Sequence, residues 1–212
     1  EVAVNKMLAE KVEDSRDSKV LKNFGFDDID ISTFYAYRNI FKSHKPDDAR
    51  NALNDIEFLK NIGGYKTDRE SGITGLTVAG LLMFGKSISI EDALPNYNLD
   101  YQERPRAVTE QRWIDRLTID GSWSGNVFDF YRIVINKLFA NIKVPFKLEG
   151  DKRKDDTPVH HAIREALINT LVHADFTDRI SVLIVKRPDM FGFRNPGNMR
   201  IPIEVAIKGG ES

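Results

Sequence analysis

The chain has 212 residues, of which 31 are basic and 32 acidic, so its formal net charge is −1. Acids and bases are interspersed, which excludes a global field that would advertise a nucleic-acid partner. There is no cysteine, which excludes disulfides and cysteine zinc sites, and no apolar run approaches the roughly 20 residues needed to span a bilayer.

A hydrophobic content of 41% allows one large or two small domains with real cores. The first residues, EVAVNKMLAEKVEDSRDSK, are charged throughout and lack both a signal-peptide pattern and an initiator Met. A cytoplasmic fragment of a longer protein is the expectation. Val4, Met7, Leu8 and Val12 give a short amphipathic helix over residues 3–13. Residues 20–31 read as irregular or extended. Ser32 is a candidate cap for a helix through Phe41, with Phe34, Tyr37 and Phe41 on one face. Asp47 or Asp48 can cap the next helix, where Ala49, Ala52, Leu53, Ile56 and Leu59 recur at helical spacing and Gly63-Gly64 ends the run. Residues 65–75 are polar and contain glycine, which suits a loop. Thr77 opens a short helix through Val78, Leu81 and Leu82, closed by Gly85. This pair of helices is a weak candidate for DNA recognition through residues 46–86, because the connection exceeds the usual 3–4 residues and the second helix is too apolar to read a groove.

From about residue 95 the pattern changes. Tyr97, Leu99 and Tyr101 alternate with Asn98, Asp100 and Gln102, as in a strand with one wet face. Trp113, Leu117 and Ile119 suggest a second strand, ending at Asp120-Gly121. Val127, Phe130, Tyr131, Val134 and Leu138 mark a strong helix. Residues 143–148 look extended, and the mixed-sign run at 151–156 looks solvated. Pro158 begins a further helix, residues 180–186 read as a buried strand, Pro188-Asp189 as a turn, and residues 191–194 as its hairpin return. Strands, then helices, then a hairpin argue for an α+β sandwich, a mixed sheet with helices on one face, preceded by a small helical module.

The helix opened by Pro158 carries the chemistry. In HAIREALINTLVHADF, residues 161–176, Ala162, Ile163, Ala166, Leu167, Thr170 and Leu171 form an apolar face, and Ile168 and Val172 add apolar residues on the other side. Helices apolar nearly all round belong in cores. Yet Glu165, Asn169 and His173 recur every fourth residue as one narrow polar stripe, within an arc of about 80°. Buried, they need partners, since an unpaired buried polar group costs roughly 1–3 kcal/mol or more. Arg164, Arg179, Arg194, the backbone or a ligand could supply them.

REALINTLVHADF, residues 164–176, resembles the first box of Bergerat-type ATP-binding domains, the fold of gyrase-like and histidine-kinase ATPases. The wording is similar to the HATPase-like domain of bacterial proteins described as RecG-related or as transcriptional regulators. FRNPGNM, residues 193–199, resembles the NPG box of the same family, and LTVAGLLMFGK, residues 76–86, a segment that precedes the domain. The resemblance implies domains at 1–45 (connector), 46–92 (small helical module) and 93–212 (HATPase-like sandwich, truncated before its lid). It implies a missing N-terminal Schlafen/AlbA-type domain as the DNA-binding part, with a homo-oligomer allowed and no membrane partner. It implies ATP and Mg²⁺ as cofactors, Asn169 as the Mg²⁺ ligand, and Glu165 as the general base toward water. His173, Asp175, Asn195 and Gly197 complete the implied nucleotide site. Asn195 stands where most Bergerat ATPases carry aspartate: an amide oxygen still accepts the adenine amino hydrogen, without the charge that strengthens the bond. Gly197 allows close backbone approach. At most a slow ATPase acting as a regulatory switch follows, and no P-loop of a helicase motor is present. The alternative is a degenerate fold used as a scaffold or dimerisation surface.

Overall fold

A computed structural model describes residues 16–106, 113–140, 142, 148–149, 152–153 and 157–197. The helix expected over residues 3–13, the extended stretch at 143–147 and the glycines at 209–210 lie outside the described residues. The chain is α+β and divides into two compact units. One comprises the described residues up to Pro95 together with Asp120–Arg132; the other comprises Asn96–Ile119 and the residues from Ile133 onward. The boundary at Pro95/Asn96 lies three residues from the division expected at 92/93, no boundary falls at 45/46, and residues 120–132 belong to the first unit.

In the first unit, helix α1 (Ile31–His44) starts one residue before Ser32, the expected cap. Asp30 is the cap: its carboxylate accepts from the Thr33 amide at 2.9 Å and from the Ser32 hydroxyl at 2.6 Å. Ser32 lies inside the first turn, where its hydroxyl donates to that carboxylate instead of capping the helix itself. A 3-10 turn over Ala49–Ala52, capped by Asp48, then breaks before α2 (Asp55–Asn61), which Asn54 caps at 2.9 Å. Gly63, at φ +81°, ends α2 as expected.

Residues 65–75 are a hairpin rather than a loop: β1 (Tyr65–Thr67) pairs antiparallel with β2 (Thr74–Leu76). Helix α3 (Val78–Phe84) opens on Thr77, whose hydroxyl accepts from the Gly80 amide and donates to the Gly63 carbonyl. Helix α4 (Ser87–Ala93) follows Gly85 directly. Phe34, Phe58 and Phe84 are fully or almost fully buried and meet edge to face, with Phe34–Phe84 centroids 5.6 Å apart. Tyr37 and Phe41 join them on the same face of α1. The segment 120–132 completes this core. Phe128 meets Tyr37 at 5.3 Å, and the fully buried Asn126 side chain donates to the Thr33 hydroxyl and the Gly85 carbonyl.

In the second unit, β3 (Leu99–Glu103) and β7 (Val182–Arg187) run parallel at the centre of a four-stranded sheet, flanked antiparallel by β4 (Asp115–Leu117) and β8 (Met190–Arg194). Between β4 and β7 lie helix α5 (Val127–Phe139), whose residues from Ile133 belong to this unit, a two-residue pair of strands β5 (Leu148–Glu149) and β6 (Lys152–Arg153), and helix α6 (Pro158–Val172).

One sheet face carries Leu99, Tyr101, Val182 and Ile184, all fully buried. Alternation along a strand sends every second residue to that face. Beneath it, the buried Lys186 ammonium donates to the Lys137 carbonyl at 2.7 Å, satisfying a terminal carbonyl of α5, and lies 3.6 Å from the Glu103 carboxylate. Burial, with Glu103 and Asp115 nearby, raises the Tyr101 hydroxyl well above its ordinary pKa.

The second face is not wet, contrary to the alternation at 98–102. Asp100 and Gln102 are 8% and 7% exposed. Arg116 clasps Asp100 through Nε and Nη2 at 3.0 Å each, Gln102 donates to Asp100 at 2.6 Å, and Arg104 donates to Gln102. Paired and hydrogen-bonded groups tolerate that burial.

Candidate functional site

Helix α6 begins at Pro158, where a missing N–H costs nothing. Thr157 donates from its amide and hydroxyl to the Nδ1 of the buried His160, and the His160 ring lies against Phe139 at 4.6 Å. His160 is thus a packing and capping residue. Ile163, Leu167, Thr170 and Leu171 bury the inner face of the helix, and the Thr170 hydroxyl is satisfied by the Ala166 carbonyl at 2.7 Å.

The outer face corrects one expectation. Ile168 is 41% and Val172 64% exposed, so α6 is one-sided and not apolar-packed all round. Glu165, Asn169 and His173 lie exposed on that outer side. The polar stripe therefore carries no desolvation penalty. Among the described residues, no hydrogen bond or ion pair engages the Glu165 or Asn169 side chain. Two arginines that could have satisfied them are occupied elsewhere: the Arg164 guanidinium lies 5.5 Å from the Phe139 ring centroid, and Arg194 reaches the Ser181 hydroxyl at 3.4 Å.

The two sequence boxes meet at the end of this helix. The Asn195 amide donates to the His173 carbonyl at 3.1 Å, and the Asp175 amide donates to the Pro196 carbonyl at 3.0 Å. His173 ends the helix, so Asn195 satisfies one of its last orphan carbonyls. With its Nδ2 committed there, the Asn195 Oδ1 is fixed as the free acceptor. Asp175 turns inward on its own loop and accepts from the Thr177 amide at 3.1 Å and from the Thr177 hydroxyl. Gly197 sits at φ +111°, and a Cβ there would lie 3.3 Å from the Asp175 Cβ. Only glycine suits both constraints. Phe176 packs on the buried Tyr97 at 5.4 Å, and Asn96 donates to the Thr177 carbonyl, so the 174–181 loop is held from below.

An apolar groove of about 450 Å³ runs beside the first half of α6, lined by Pro158, Val159, Ala162, Ile163, Ala166, Phe191 and Phe193. Asn169 and His173 follow Ala162 by seven and eleven residues, so on a helix they lie within roughly 20° of it. Groove and polar stripe thus share one face of α6, with the groove along its first half and the stripe toward its end. Asp175 and His173 contribute loop geometry here rather than a cluster of charges. Among the described residues no group of three or more His, Asp or Glu side chains could hold a metal ion, and no helix is long and apolar enough to cross a membrane. Phe191 and Phe193 had been placed only as hairpin residues; their period-2 spacing is the signal that both face α6.

In the first unit, α2 and α3 are joined by the β1–β2 hairpin, and α3 buries Gly80, Leu81, Leu82 and Phe84. Packed in that way, α3 does not present a recognition surface for a groove.

Comparison with known proteins adds little chemistry. A family model described as a domain of unknown function (DUF8451) matches residues 5–100. No curated protein matches the chain. The solved structures include a similar fold in the DIP2311 protein from Corynebacterium diphtheriae, at 18% identity and a TM-score of 0.60. The match covers 90% of this chain and 35% of that one, so the chain spans about a third of that protein's length.

Proposed function

We propose that the second unit is a HATPase-like, Bergerat-type nucleotide-binding module that takes Mg·ATP at the outer face of α6 and serves as a regulatory switch in a cytoplasmic bacterial transcriptional regulator. One observation carries the reading. Two boxes about 20 residues apart in sequence close on each other through the Asn195–His173 and Asp175–Pro196 hydrogen bonds, while Glu165 and Asn169 stay exposed one turn apart, with no bond to their side chains among the described residues.

The residues fit the group. Mg²⁺ keeps several waters and takes few protein ligands, so the single amide oxygen of Asn169 suffices, and the lack of a carboxylate cluster is compatible with it. Bound Mg²⁺ would supply charge neutralisation at the phosphates. Glu165, one turn earlier and solvated, keeps its carboxylate available to accept a proton from water. The fixed Asn195 Oδ1 accepts a hydrogen bond from an amino-bearing base. Gly197 lets the backbone approach that base. Ala166 and Phe193, at the groove end nearest Asn195, bound it with apolar surface.

Calorimetric titration of the chain with Mg·ATP tests the reading. Saturable binding that Asn169→Ala removes is expected. Binding unchanged in Asn169→Ala would overturn the site assignment. The second reading, a scaffold or dimerisation surface, rests on exposed Ile168 and Val172, an i,i+4 apolar pair beside the stripe. It predicts no nucleotide binding, together with concentration-dependent self-association that Val172→Glu abolishes.

A further inference from the structure

The sheet face opposite the helices carries one arginine from each of β4, β7 and β8. Register sets Arg116 opposite Gln102 on β3, Arg194 opposite Leu183 on β7, and Arg187 two residues beyond Val185 on the same face. Arg104 continues the Asp100–Gln102 row just past the end of β3. Arg106 follows, exposed, with its carbonyl accepting from Arg187 Nη2 at 2.9 Å.

Against these five arginines stand two carboxylates among the described residues of this side. Asp100 is held by Arg116, and Asp189 lies 3.3 Å from Arg187 Nε. Among the described residues, the Arg104 side chain bonds the neutral Gln102 amide, the Arg194 side chain bonds the Ser181 hydroxyl, and Arg106 meets no carboxylate. Among the described residues three exposed cations are therefore uncompensated, on a chain whose net charge is −1. Segregating charge in this way makes a local positive field that the composition hides.

An aromatic group stands just before β4, beside Arg116. Trp113 is 40% exposed, and the Arg116 guanidinium covers one side of its indole, 4.7 Å from the ring centroid. At 40% exposure the ring keeps surface open to solvent. Ile114, beside it, is 62% exposed. Guanidinium forks match phosphate oxygens, and an exposed indole backed by a cation offers a base a stacking platform. An acidic peptide would use the arginines and leave the indole without purpose; a duplex hides its base faces.

We propose that this face binds single-stranded nucleic acid, with phosphates on Arg104, Arg106 and Arg194 and a base on Trp113. Arg104 and Arg106 are two residues apart, about 6.6 Å where the backbone is extended, which suits neighbouring phosphates, while Arg194 stands on β8 at the other end of the sheet and meets a phosphate farther along the strand. The face lies on the opposite side of the sheet from α6, and the proposal does not rest on the nucleotide reading, although Arg194 directly precedes Asn195.

Fluorescence anisotropy of the full chain with a labelled single strand of about 20 nucleotides at about 50 mM salt tests it. Three phosphate contacts predict a salt slope of about −2 in log affinity against log salt. Arg106→Glu with Arg194→Glu should weaken binding at least ten-fold and flatten the slope by about 1.4. Trp113→Ala should weaken it about ten-fold, and Trp113→Phe should restore most of the loss. Lys42→Glu with Lys60→Glu, exposed on the first unit with the same change in net charge, should bind like the unaltered chain. Lack of binding overturns the proposal. So does an equal loss with the Lys42/Lys60 pair, or a duplex or poly-glutamate bound as tightly as the single strand. An unaltered melting temperature in Arg106→Glu with Arg194→Glu excludes misfolding as the cause.

Discussion

Gly80→Ala should destabilise the first unit although alanine favours helices. A Cβ at position 80 of α3 would lie 2.1 Å from the Gly64 carbonyl oxygen, and 2.7 and 2.8 Å from the Gly64 carbonyl carbon and Cα. These are backbone atoms, so no side chain can swing away. The Gly64 carbonyl also accepts from the Thr77 amide at 3.1 Å, and the Thr77 hydroxyl donates to the Gly63 carbonyl at 2.8 Å. Separating the turn from the helix by the ångström or so that a methyl needs therefore breaks the cap as well. Overpacking costs about 1–3 kcal/mol and a lost hydrogen bond about 1 kcal/mol, against about 1 kcal/mol gained in helix propensity. The net loss is about 1–3 kcal/mol. At about 2–4 °C per kcal/mol for a chain of this size, the melting temperature should fall by roughly 2–12 °C. Thermal unfolding followed by far-ultraviolet circular dichroism measures it. Gly25→Ala is the control, because no atom lies within 4 Å of its would-be Cβ and its φ of −132° suits any residue. A Gly80→Ala melt indistinguishable from the Gly25→Ala melt would refute the close-approach argument.

Other perturbations probe different parts of the structure. Phe34→Ala removes the ring at the centre of the first aromatic core and should cost about 3–5 kcal/mol in denaturant unfolding; a loss under about 1 kcal/mol would mean the core collapses around the gap. Lys186→Met strands the Lys137 carbonyl and the Glu103 carboxylate beneath the sheet, so a loss of about 3 kcal/mol is expected in the same assay. Asp30→Ala should cost about 1 kcal/mol at neutral pH by removing the cap of α1. Burial pushes the Asp30 carboxyl up, but hydrogen bonds from Ser32 and Thr33 outweigh it and hold its pKa below the ordinary value. A depressed folded pKa gives stability that is present above the unfolded pKa and lost as pH falls through the folded one. The gap between Asp30→Ala and the unaltered chain should therefore narrow as pH drops below about 4; a constant gap would contradict the carboxylate as the capping form.

Much of the fold is legible where local chemistry and burial agree. Thr77 and Gly85 bracket α3 because a hydroxyl and a glycine are what helix ends require. Phe34, Tyr37 and Phe41 share a face because the helical period places them there and all three meet Phe58. The 65–75 hairpin is illegible because each strand has only three residues, too few for a period-2 pattern to stand out. The return of residues 120–132 to the first core is likewise hidden: Asn126 and Phe128 look like an ordinary helix start, and only Thr33, Gly85 and Tyr37, distant in sequence, explain them. The wet face expected for β3 failed because alternating polarity marks which residues share a face, not whether arginines cover it. At the candidate site the Asn195–His173 hydrogen bond joins two segments distant in sequence, and the exposure of Ile168 and Val172 depends on what covers α6, which no periodicity encodes.

Hydrogen exchange of the chain with and without Mg·ATP tests the nucleotide reading most directly, because it reports binding and its place in one measurement. The account predicts added protection confined to the last turns of α6, from Glu165 to His173, and to residues 195–197. Protection absent there, or appearing only elsewhere in the chain, would contradict it.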